Sequence, residues 1–417
     1  MSDTPVSARC ACPPNGRFFA LDDIADDTAR QLAGIRQHIH AHPELGYEEF
    51  ETSDYVASLL QEWGYALTRG IGGTGLVATL KCGTGSRSIM IRADMDALPI
   101  HETTGLPYQS RHAGKMHACG HDGHTAMVLG AAQALAQTRR FDGTVHLVFQ
   151  PAEEVGVDSG AARMIADGLF DRFPCDAIFG IHNHPGVASG TFGFRPGALM
   201  AAGDLVRVTV HGRGGHAARP HQSIDPIVVI SSMIMALQTI VARNVPPTDT
   251  AVVTVGTLHA GHVANVIPNT ATMELSVRSF DEKIRTLLET RIRELLEAQA
   301  ASYGASVEVD YQRGYPVVVN SPDETALACA VAEELVGAEN VISPFPQITG
   351  SEDFAFYLQH RPGCFIRLGN GTDNALLHNS AYDFNDANLA IGAAFWTRLA
   401  ERFLNTASAL PSPSNKD

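Results

Sequence analysis

Apolar and polar positions recur with two different patterns along this chain. The change from one pattern to the other marks the boundary between two predicted domains. A segment with apolar residues at helical spacing, DDTARQLAGIRQHIHAHPE, comes first and ends near Pro43. Short apolar runs typical of buried strands follow: GLVATLK, SIMIRADMD, TVHLVFQP and AIFGIHNHP. The small-residue helix TAMVLGAAQALAQ lies between the second and third runs. Strands that alternate with helices predict an α/β sheet with substantial parallel character.

A second pattern begins near Met200, where DLVRVTVHG alternates apolar and polar residues as a half-exposed strand does. A helix from Asp225 to Val241 follows, and then two strands, TAVVTVGTLHAG and TATMELSVRSF. A charged helix, DEKIRTLLETRIRELLEAQAASYG, and the strand SVEVDYQRG complete the segment. The order β-α-β-β-α-β predicts a ferredoxin-like α+β domain with an antiparallel sheet.

The α/β pattern resumes after Tyr315, so the second domain is predicted to be inserted into the first. We expect a discontinuous first domain of residues 20–198 and 315–405, with a mixed, largely parallel sheet flanked by helices. Residues 199–314 form the expected inserted domain, which is of ordinary domain size. Residues 1–19 and 406–417 are expected to be flexible tails.

Composition narrows the class of protein. Hydrophobic residues make up 45% and charged residues 18% of the 417 positions, a balance typical of a globular protein. A net charge of −15 argues against nucleic acid as a partner. We expect no membrane association, because the apolar runs are broken by Gly, Pro or charge. The start of the chain lacks the pattern of a signal peptide, and seven scattered cysteines suggest free thiols, so we expect a cytoplasmic protein.

The segment HACGHDGH, from His117 to His124, concentrates three histidines, a cysteine and an aspartate in eight residues. Thiolates and imidazoles are preferred ligands of zinc and similar metals. Such side chains need polar partners if they are buried. The segment is therefore a catalytic metal site, a structural metal site or a polar turn around Gly120 and Gly123.

Polar side chains also follow three of the predicted strands. Glu153 and Glu154 come after a strand in QPAEE, where one carboxylate could hold a metal and the other accept a proton. A solvated helix start is the alternative, since acids are favoured there. Asp94 and Asp96 end a second strand, and an aspartate can orient a metal-binding imidazole. The alternative for this pair is a turn before a proline.

Histidines complete the set of candidates. His182 and His184 end a strand in GIHNHP and point the same way, although a polar strand end has the same pattern. His378 is a single histidine in LLHNSAYDF, a pattern that by itself favours an ordinary surface histidine over a site residue. His216 lies in the glycine-rich GRGGHAARPH of the inserted domain, either in a simple turn or as a donor to a substrate oxyanion.

Several long motifs occur in a fixed order between Leu32 and Leu399: RADMDALPI, HACGHDGHTAM, FQPAEE, GIHNHP, GRGGHAARPH, NVIPNTA, GSEDFAFY and LLHNSAYDFND. Together they resemble the metal-dependent amidohydrolase family that includes hippurate hydrolase, N-acyl-amino-acid deacylases and plant indoleacetyl-amino-acid hydrolases. That family is related to aminoacylase and to carboxypeptidase-type dinuclear zinc peptidases. Long motifs in a fixed order are far more specific than one short motif.

The resemblance implies two divalent metal ions per subunit, and a Cys/His/Glu ligand set favours zinc over manganese, cobalt or nickel. Cys119 matches a thiolate that bridges the two metals. His121 and Glu154 match ligands of one metal, and His182 and His378 match ligands of the other. Asp94 stands where distant relatives have a histidine ligand, so it is not expected to bind metal.

The resemblance also implies roles around these ligands. Glu153 matches the general base, and Asp96 matches an acid that supports a ligand. His216 matches a histidine that in relatives can reach the partner subunit's active site. Asn265 and Arg278 lie in motifs that resemble contacts to the substrate carboxylate. The inserted domain is then expected to act as a lid and to form a homodimer or higher homo-oligomer through an edge strand or helix face.

The function expected from the resemblance is hydrolysis of an N-acyl amino acid, hippurate-like or carrying another aromatic or aliphatic acyl group. A metal-bridging hydroxide and a Glu general base would release a carboxylic acid and a free amino acid. A metal-dependent dipeptidase or exopeptidase is the alternative enzyme. A non-enzymatic metal-binding protein is a third possibility, but it gives Glu153 no role.

Overall fold

The computed structural model describes residues 19–24 and 26–405, which form two units. Within this range the first unit runs to Gly197 and also contains Asn320–Phe345 and the chain from Phe356 onward. The second unit comprises Ala198–Val319 and Pro346–Ala355, a short segment that the sequence placed with the first domain. The expected tails lie outside the described residues, apart from Phe19, which is buried.

The described residues form ten α-helices and sixteen strands. The helices are α1 (Asp26–Ala41), α2 (Phe50–Glu62), α3 (His121–Thr138), α4 (Gly160–Ala166), α5 (Leu169–Arg172), α6 (Pro226–Arg243), α7 (Glu282–Ser302), α8 (Pro322–Val336), α9 (Phe354–Leu358) and α10 (Ala387–Asn405). The strands are β1 (Ala66–Ile71), β2 (Gly75–Cys82), β3 (Ser88–Asp94), β4 (Gly143–Gln150), β5 (Ala177–His184), β6 (Phe192–Gly193), β7 (Gly197–Met200), β8 (Ala202–His211), β9 (Gly215–His216), β10 (Ala251–Ala260), β11 (Val266–Ile267), β12 (Thr270–Ser279), β13 (Ser306–Arg313), β14 (Val318–Asn320), β15 (Val341–Ile342) and β16 (Gly363–Gly369).

A mixed sheet with the order β1-β2-β4-β3-β5-β16-β6-β15 forms the first unit. Its centre is parallel: β3 lies between β4 and β5, and β5 pairs with β16. Antiparallel pairs join β1 to β2, β2 to β4 and β16 to β6. The central strands are buried on both faces, which explains why their sequences are continuous apolar runs. The predicted mixed α/β fold is confirmed.

Helices cover this sheet, and α1 shows why they form where the sequence predicts. Its apolar residues Leu32, Ile35 and Ile39 recur at helical spacing and are buried in the core. Two aspartates occupy its first turn, where their negative charges interact favourably with the positive end of the helix dipole. The helix stops at Ala41, just before the proline that the sequence marked as its end.

The second unit contains an antiparallel sheet with the order β10-β12-β8-β13. Helices α6 and α7 pack on it, and Asp225 and Asp281 cap their N-termini through backbone N–H groups. Alternate residues of β8, including Val206, Val208 and Val210, are buried beneath the helices. This is the predicted ferredoxin-like arrangement, which is confirmed.

The structure bears on two expectations drawn from composition. Helix α6 is long and apolar enough to cross a membrane by length and composition, although the core helices of soluble proteins pass the same test. Its buried residues belong to the core of the second unit, among them Val229, Met233 and Leu237. Among the described residues four cysteines are free thiols, as expected, but Cys82 is disulfide-bonded.

Candidate metal centre

The polar residues that follow the central strands of the first unit lie at one edge of its sheet. Asp94 ends β3, Glu153 and Glu154 follow β4, and His182 lies near the end of β5. Because β3, β4 and β5 are parallel neighbours, their carboxyl ends meet at this edge. The loop before α3 brings Cys119 to the same place, and His121 is the first residue of that helix.

Gly120 makes the sharp turn between Cys119 and His121 possible. Its φ of 87° is in the left-handed region, which favours glycine. A Cβ atom there would lie 2.4 Å from Asn183 Nδ2 and 2.5 Å from Tyr382 Oη. The glycine therefore lets the backbone approach two side chains that support the site.

Cys119 belongs to two groups of potential metal ligands. One group is Cys119, His121 and His182, and the other is Cys119, Glu154 and His378. Within each group the ligand atoms lie within 4.8 Å of one another. The thiol is thus the shared member, as a bridging ligand must be. These two groups place His121 with His182 and Glu154 with His378, and a further group places His121 with Glu153 and Glu154, the pairing that the family resemblance implies.

The two buried histidines are oriented like metal ligands. His182 Nδ1 donates to the Asn183 carbonyl at 2.7 Å, which leaves Nε2 facing Cys119 Sγ at 3.3 Å. His121 Nδ1 lies 2.9 Å from the Asp96 carbonyl, and its Nε2 is buried without a hydrogen bond. Metal-binding histidines commonly use one ring nitrogen in this way and keep the other for the metal. The orphaned Nε2 fits a cation at this point.

Negative groups dominate the surroundings of the thiol. Burial, followed by the charges of Glu154 and Glu153, raises the pKa of Cys119 well above its ordinary value. Burial lowers the pKa of His121, but the carboxylates of Asp94 and Asp96 outweigh it and raise the pKa to about 10. A buried cluster of negative groups is stabilised by a cation. Both the types of donor atom and the negative charge therefore fit divalent metals.

Glu154 and His378 form the more open side of the site. His378 Nε2 lies 3.1 Å from Glu154 Oε1, and this contact raises the pKa of the histidine. Glu153 is buried beside them and shares a group with His121 and Glu154. Both segments carry unusual backbone angles, with φ of 50° at Ala152 and 63° at His378. Non-glycine residues in this region are strained and are concentrated at functional sites.

Asp96 supports both ligand groups. Its Oδ1 lies 3.2 Å from His121 Nδ1, and its Oδ2 accepts the Glu154 backbone N–H at 2.9 Å. Asp94 has different partners: Oδ1 contacts His124 Nδ1 at 2.7 Å and Oδ2 accepts from Arg92 at 2.7 Å. Asp94 Oδ2 also lies 3.6 Å from His121 Nε2, and Asp94 forms a further group of potential ligands with His121 and His124.

Sequence reasoning missed Asn183, which connects His124 to the cysteine loop. Its Nδ2 donates to the Cys119 carbonyl at 2.6 Å, and its backbone N–H donates to His124 Nε2 at 3.0 Å. Because His124 Nε2 accepts this second hydrogen bond, the proton of the neutral ring lies on Nδ1. Nδ1 then donates to Asp94. Tyr382 donates to Asn183 Oδ1 at 2.8 Å. The position between His182 and His184 was the only signal in the sequence.

The remaining polar residues of HACGHDGH lie behind the ligands. Asp122 is buried against His40, whose Nδ1 lies 2.8 Å from its Oδ2, and faces Arg36 at 3.5 Å. His117 is also buried, and burial lowers its pKa to about 4. His184 points elsewhere, with its Nδ1 3.4 Å from Arg367. These residues shape the loop and the strand end.

The second unit carries the other candidates at two separate places. His216 pairs with Val266 across β9 and β11, and the Asn265 carbonyl accepts the Ala217 N–H at 3.1 Å. His216 Nδ1 accepts the Ala218 N–H at 3.0 Å, so a neutral ring carries its proton on the free Nε2.

Arg278 lies near the other end of β12, where it donates to Ser351 at 2.7 Å. The eight residue steps from Thr270 to Arg278 span roughly 27 Å of strand. The structure therefore brings Asn265 and His216 together but separates them from Arg278.

Comparisons with known proteins show which family of proteins this chain is similar to. The model of peptidase family M20/M25/M40 matches residues 90–402. Hippurate hydrolase of Campylobacter jejuni is 42% identical over 378 residues, covering 91% of this chain and 98% of that protein. N-acetyl-L-cysteine deacetylase of Bacillus subtilis is 42% identical, covering 90% and 89%. A solved Bacillus subtilis structure, described as a dinuclear metal-binding peptidase, is 34% identical with a TM-score of 0.80 over 92% of this chain and all of that one.

Proposed function

Since the chain belongs to peptidase family M20/M25/M40, we propose that the site around Cys119 carries out its hydrolytic reaction. The resemblance seen in the sequence motifs is confirmed by the relatives that are 42% identical. The protein is a hydrolase of amide bonds, a metal-dependent N-acyl-amino-acid amidohydrolase. The observation that supports this site most strongly is the pair of ligand groups that share one cysteine, with Glu153 beside them.

The site holds two divalent metal ions in our proposal. Cys119, His121 and His182 would bind one ion, and Cys119, Glu154 and His378 the other. Metals bound here would acidify a water molecule and polarise the amide carbonyl. Zinc suits a thiolate, imidazole and carboxylate set, and we propose it as the native metal, with manganese, cobalt or nickel as alternatives.

Glu153 acts as the general base in this account. Its buried carboxylate takes the proton of the attacking water and later delivers it to the leaving amine nitrogen. The C–N bond breaks, so that the acyl group leaves as a carboxylic acid and the amine as a free amino acid. Asp96 holds the backbone of Glu154 and the ring of His121 during these steps.

His216 supplies a hydrogen bond to the developing oxyanion in our proposal, because its free Nε2 is the protonated nitrogen of the neutral ring. Asn265 and Arg278 are proposed to bind the substrate carboxylate. One small substrate cannot reach both ends of β12, so we propose that His216 and Asn265 serve the partner subunit's site.

A homodimer through the second unit would provide that partner. Strand β10 is an edge of its sheet and exposes Leu258, and helix α6 exposes Val228 and Met235. Exposed apolar groups on an edge strand and a helix favour association with another protein surface. We propose that the dimer is cytoplasmic and that its partners otherwise are small substrates.

A substrate panel tests the proposal. The purified enzyme, loaded with zinc, would be given N-benzoyl, N-acetyl and N-indoleacetyl amino acids and the matching dipeptides with free amino groups. Faster release of amino acid from the acylated compounds supports the proposal. Faster cleavage of the dipeptides would instead establish the exopeptidase alternative, which the family match also favours.

A further inference from the structure

Glu49 is a buried carboxyl group that the proposed reaction does not use. It lies just before α2 and is fully buried. Its Oε1 accepts the backbone N–H of Ala152 at 2.8 Å, and its Oε2 accepts the Thr74 hydroxyl at 2.5 Å. A buried carboxyl that reaches a backbone N–H 103 residues away fixes two parts of the fold together.

The residue it holds is the strained one before the catalytic pair. Ala152 has left-handed angles, φ 50° and ψ 47°, directly before Glu153. Such a conformation is strained in a non-glycine residue and persists only where the surroundings enforce it. The N–H of Ala152 is bound to Glu49, and its carbonyl accepts the Gly160 N–H at 3.1 Å. Both polar groups of this peptide backbone are therefore fixed.

A second carboxylate holds the same turn from the other end. Asp96 accepts the N–H of Glu154 at 2.9 Å, two residues after the N–H that Glu49 accepts. The segment that carries Glu153 and Glu154 is thus held by one carboxyl group on each side. Removing either would let the turn relax toward ordinary backbone angles and move both glutamates.

We propose that Glu49 is a positioning residue: it holds the backbone of Ala152 so that Glu153 and Glu154 face the same site. This inference rests on the proposed function, because it assigns the two glutamates to proton transfer and metal binding. It does not place Glu49 in contact with the substrate.

The chemistry of Glu49 suggests how to test this role. Burial, followed by the charge of Asp96, raises its pKa to about 7. The neutral and ionised forms can both accept the Ala152 N–H through one oxygen. Glutamine keeps that oxygen and has no charge, whereas leucine keeps the volume and removes the acceptor. Positioning by the hydrogen bond therefore predicts that Gln, but not Leu, preserves the geometry.

The variants Glu49→Gln and Glu49→Leu would be compared with the wild-type enzyme in kcat, KM and the visible spectrum of the cobalt-substituted protein. We expect Glu49→Leu to lower kcat by roughly 10–100-fold, the usual cost of losing an orienting partner. KM should change less than about threefold, because the loss arises in the transition state. The cobalt spectrum of Glu49→Leu should also differ from that of the wild type, because Glu154 moves. In Glu49→Gln, kcat and the cobalt spectrum should both be as in the wild type. Glu51→Leu, an exposed glutamate of the same helix, is the matched control.

Three outcomes distinguish the positioning role of Glu49 from the proposed function of the protein. Wild-type kcat and spectrum in folded Glu49→Leu would overturn the positioning role and leave the proposed function intact. If Glu49→Leu does not fold, Glu49→Gln decides: a spectrum and kcat as in the wild type support the role, and a large loss of either overturns it. A wild-type enzyme inactive on every acylated amino acid, with the spectral change still present in Glu49→Leu, would refute the substrate class and retain the positioning role.

Discussion

Cys119→Ala tests whether the Cys119 thiol binds both metals or only one. It leaves two protein ligands in each group, His121 with His182 and Glu154 with His378. Zinc sites with four protein ligands bind with about 10–16 kcal/mol, so one ligand contributes about 2.5–4 kcal/mol. At about 1.4 kcal/mol per tenfold change, each metal should bind roughly 10²–10³-fold more weakly. Both metals should weaken together, because the thiol belongs to both groups.

Metal content after dialysis against a weak chelator, measured by mass spectrometry, gives the result directly. The wild-type enzyme should keep both metals, Cys119→Ala should lose both, and His378→Ala should lose one more readily than the other. Cys175→Ala, which removes another buried free thiol, is the matched control and should keep both. Retention of two metals with wild-type affinity in Cys119→Ala would refute the bridging role.

Other predictions concern the residues around the metals. Glu153→Gln should lower kcat by roughly 10²–10⁴-fold, the usual contribution of a general base, with metal content unchanged; loss of metal would make Glu153 a ligand instead. His216→Ala should lower kcat by roughly 10²–10³-fold as an oxyanion donor does, and a wild-type rate in this variant would remove it from the reaction. If the dimer proposal holds, mixing His216→Ala with Glu153→Gln subunits should restore part of the activity that each lacks. Asn183→Leu should weaken metal binding by roughly 10–100-fold, because its side chain holds the carbonyl of Cys119, and a chelator competition titration would measure the change.

The fold could be predicted because its central strands have a recognisable pattern of apolar residues. Strands β3 and β5 are buried on both faces, so their sequences are nearly continuous apolar runs with acids or histidines at their ends. The order of elements around α6 and α7 was enough for the ferredoxin-like domain. Helix α6 passes the length and composition test for a membrane span, and only the structure shows that one of its apolar faces packs on a sheet.

The site was less accessible to prediction wherever it depends on contacts distant in sequence. The ligand types followed from HACGHDGH and the strand ends, but the grouping of His121 with His182 depends on how α3 and β5 meet. Asn183 and Glu49 act through backbone groups 64 and 103 residues away. A side chain that holds a distant N–H or carbonyl has no local pattern, so only the structure identifies it.

Reconstitution of the metal-free enzyme tests the central claim most directly. The protein would be stripped of metal, titrated with zinc, and assayed on an N-benzoyl amino acid at each step. Hydrolysis should reach its maximum at two equivalents of metal per chain. Full activity without added metal, or two bound equivalents with no hydrolysis of any acylated amino acid or dipeptide, would contradict it.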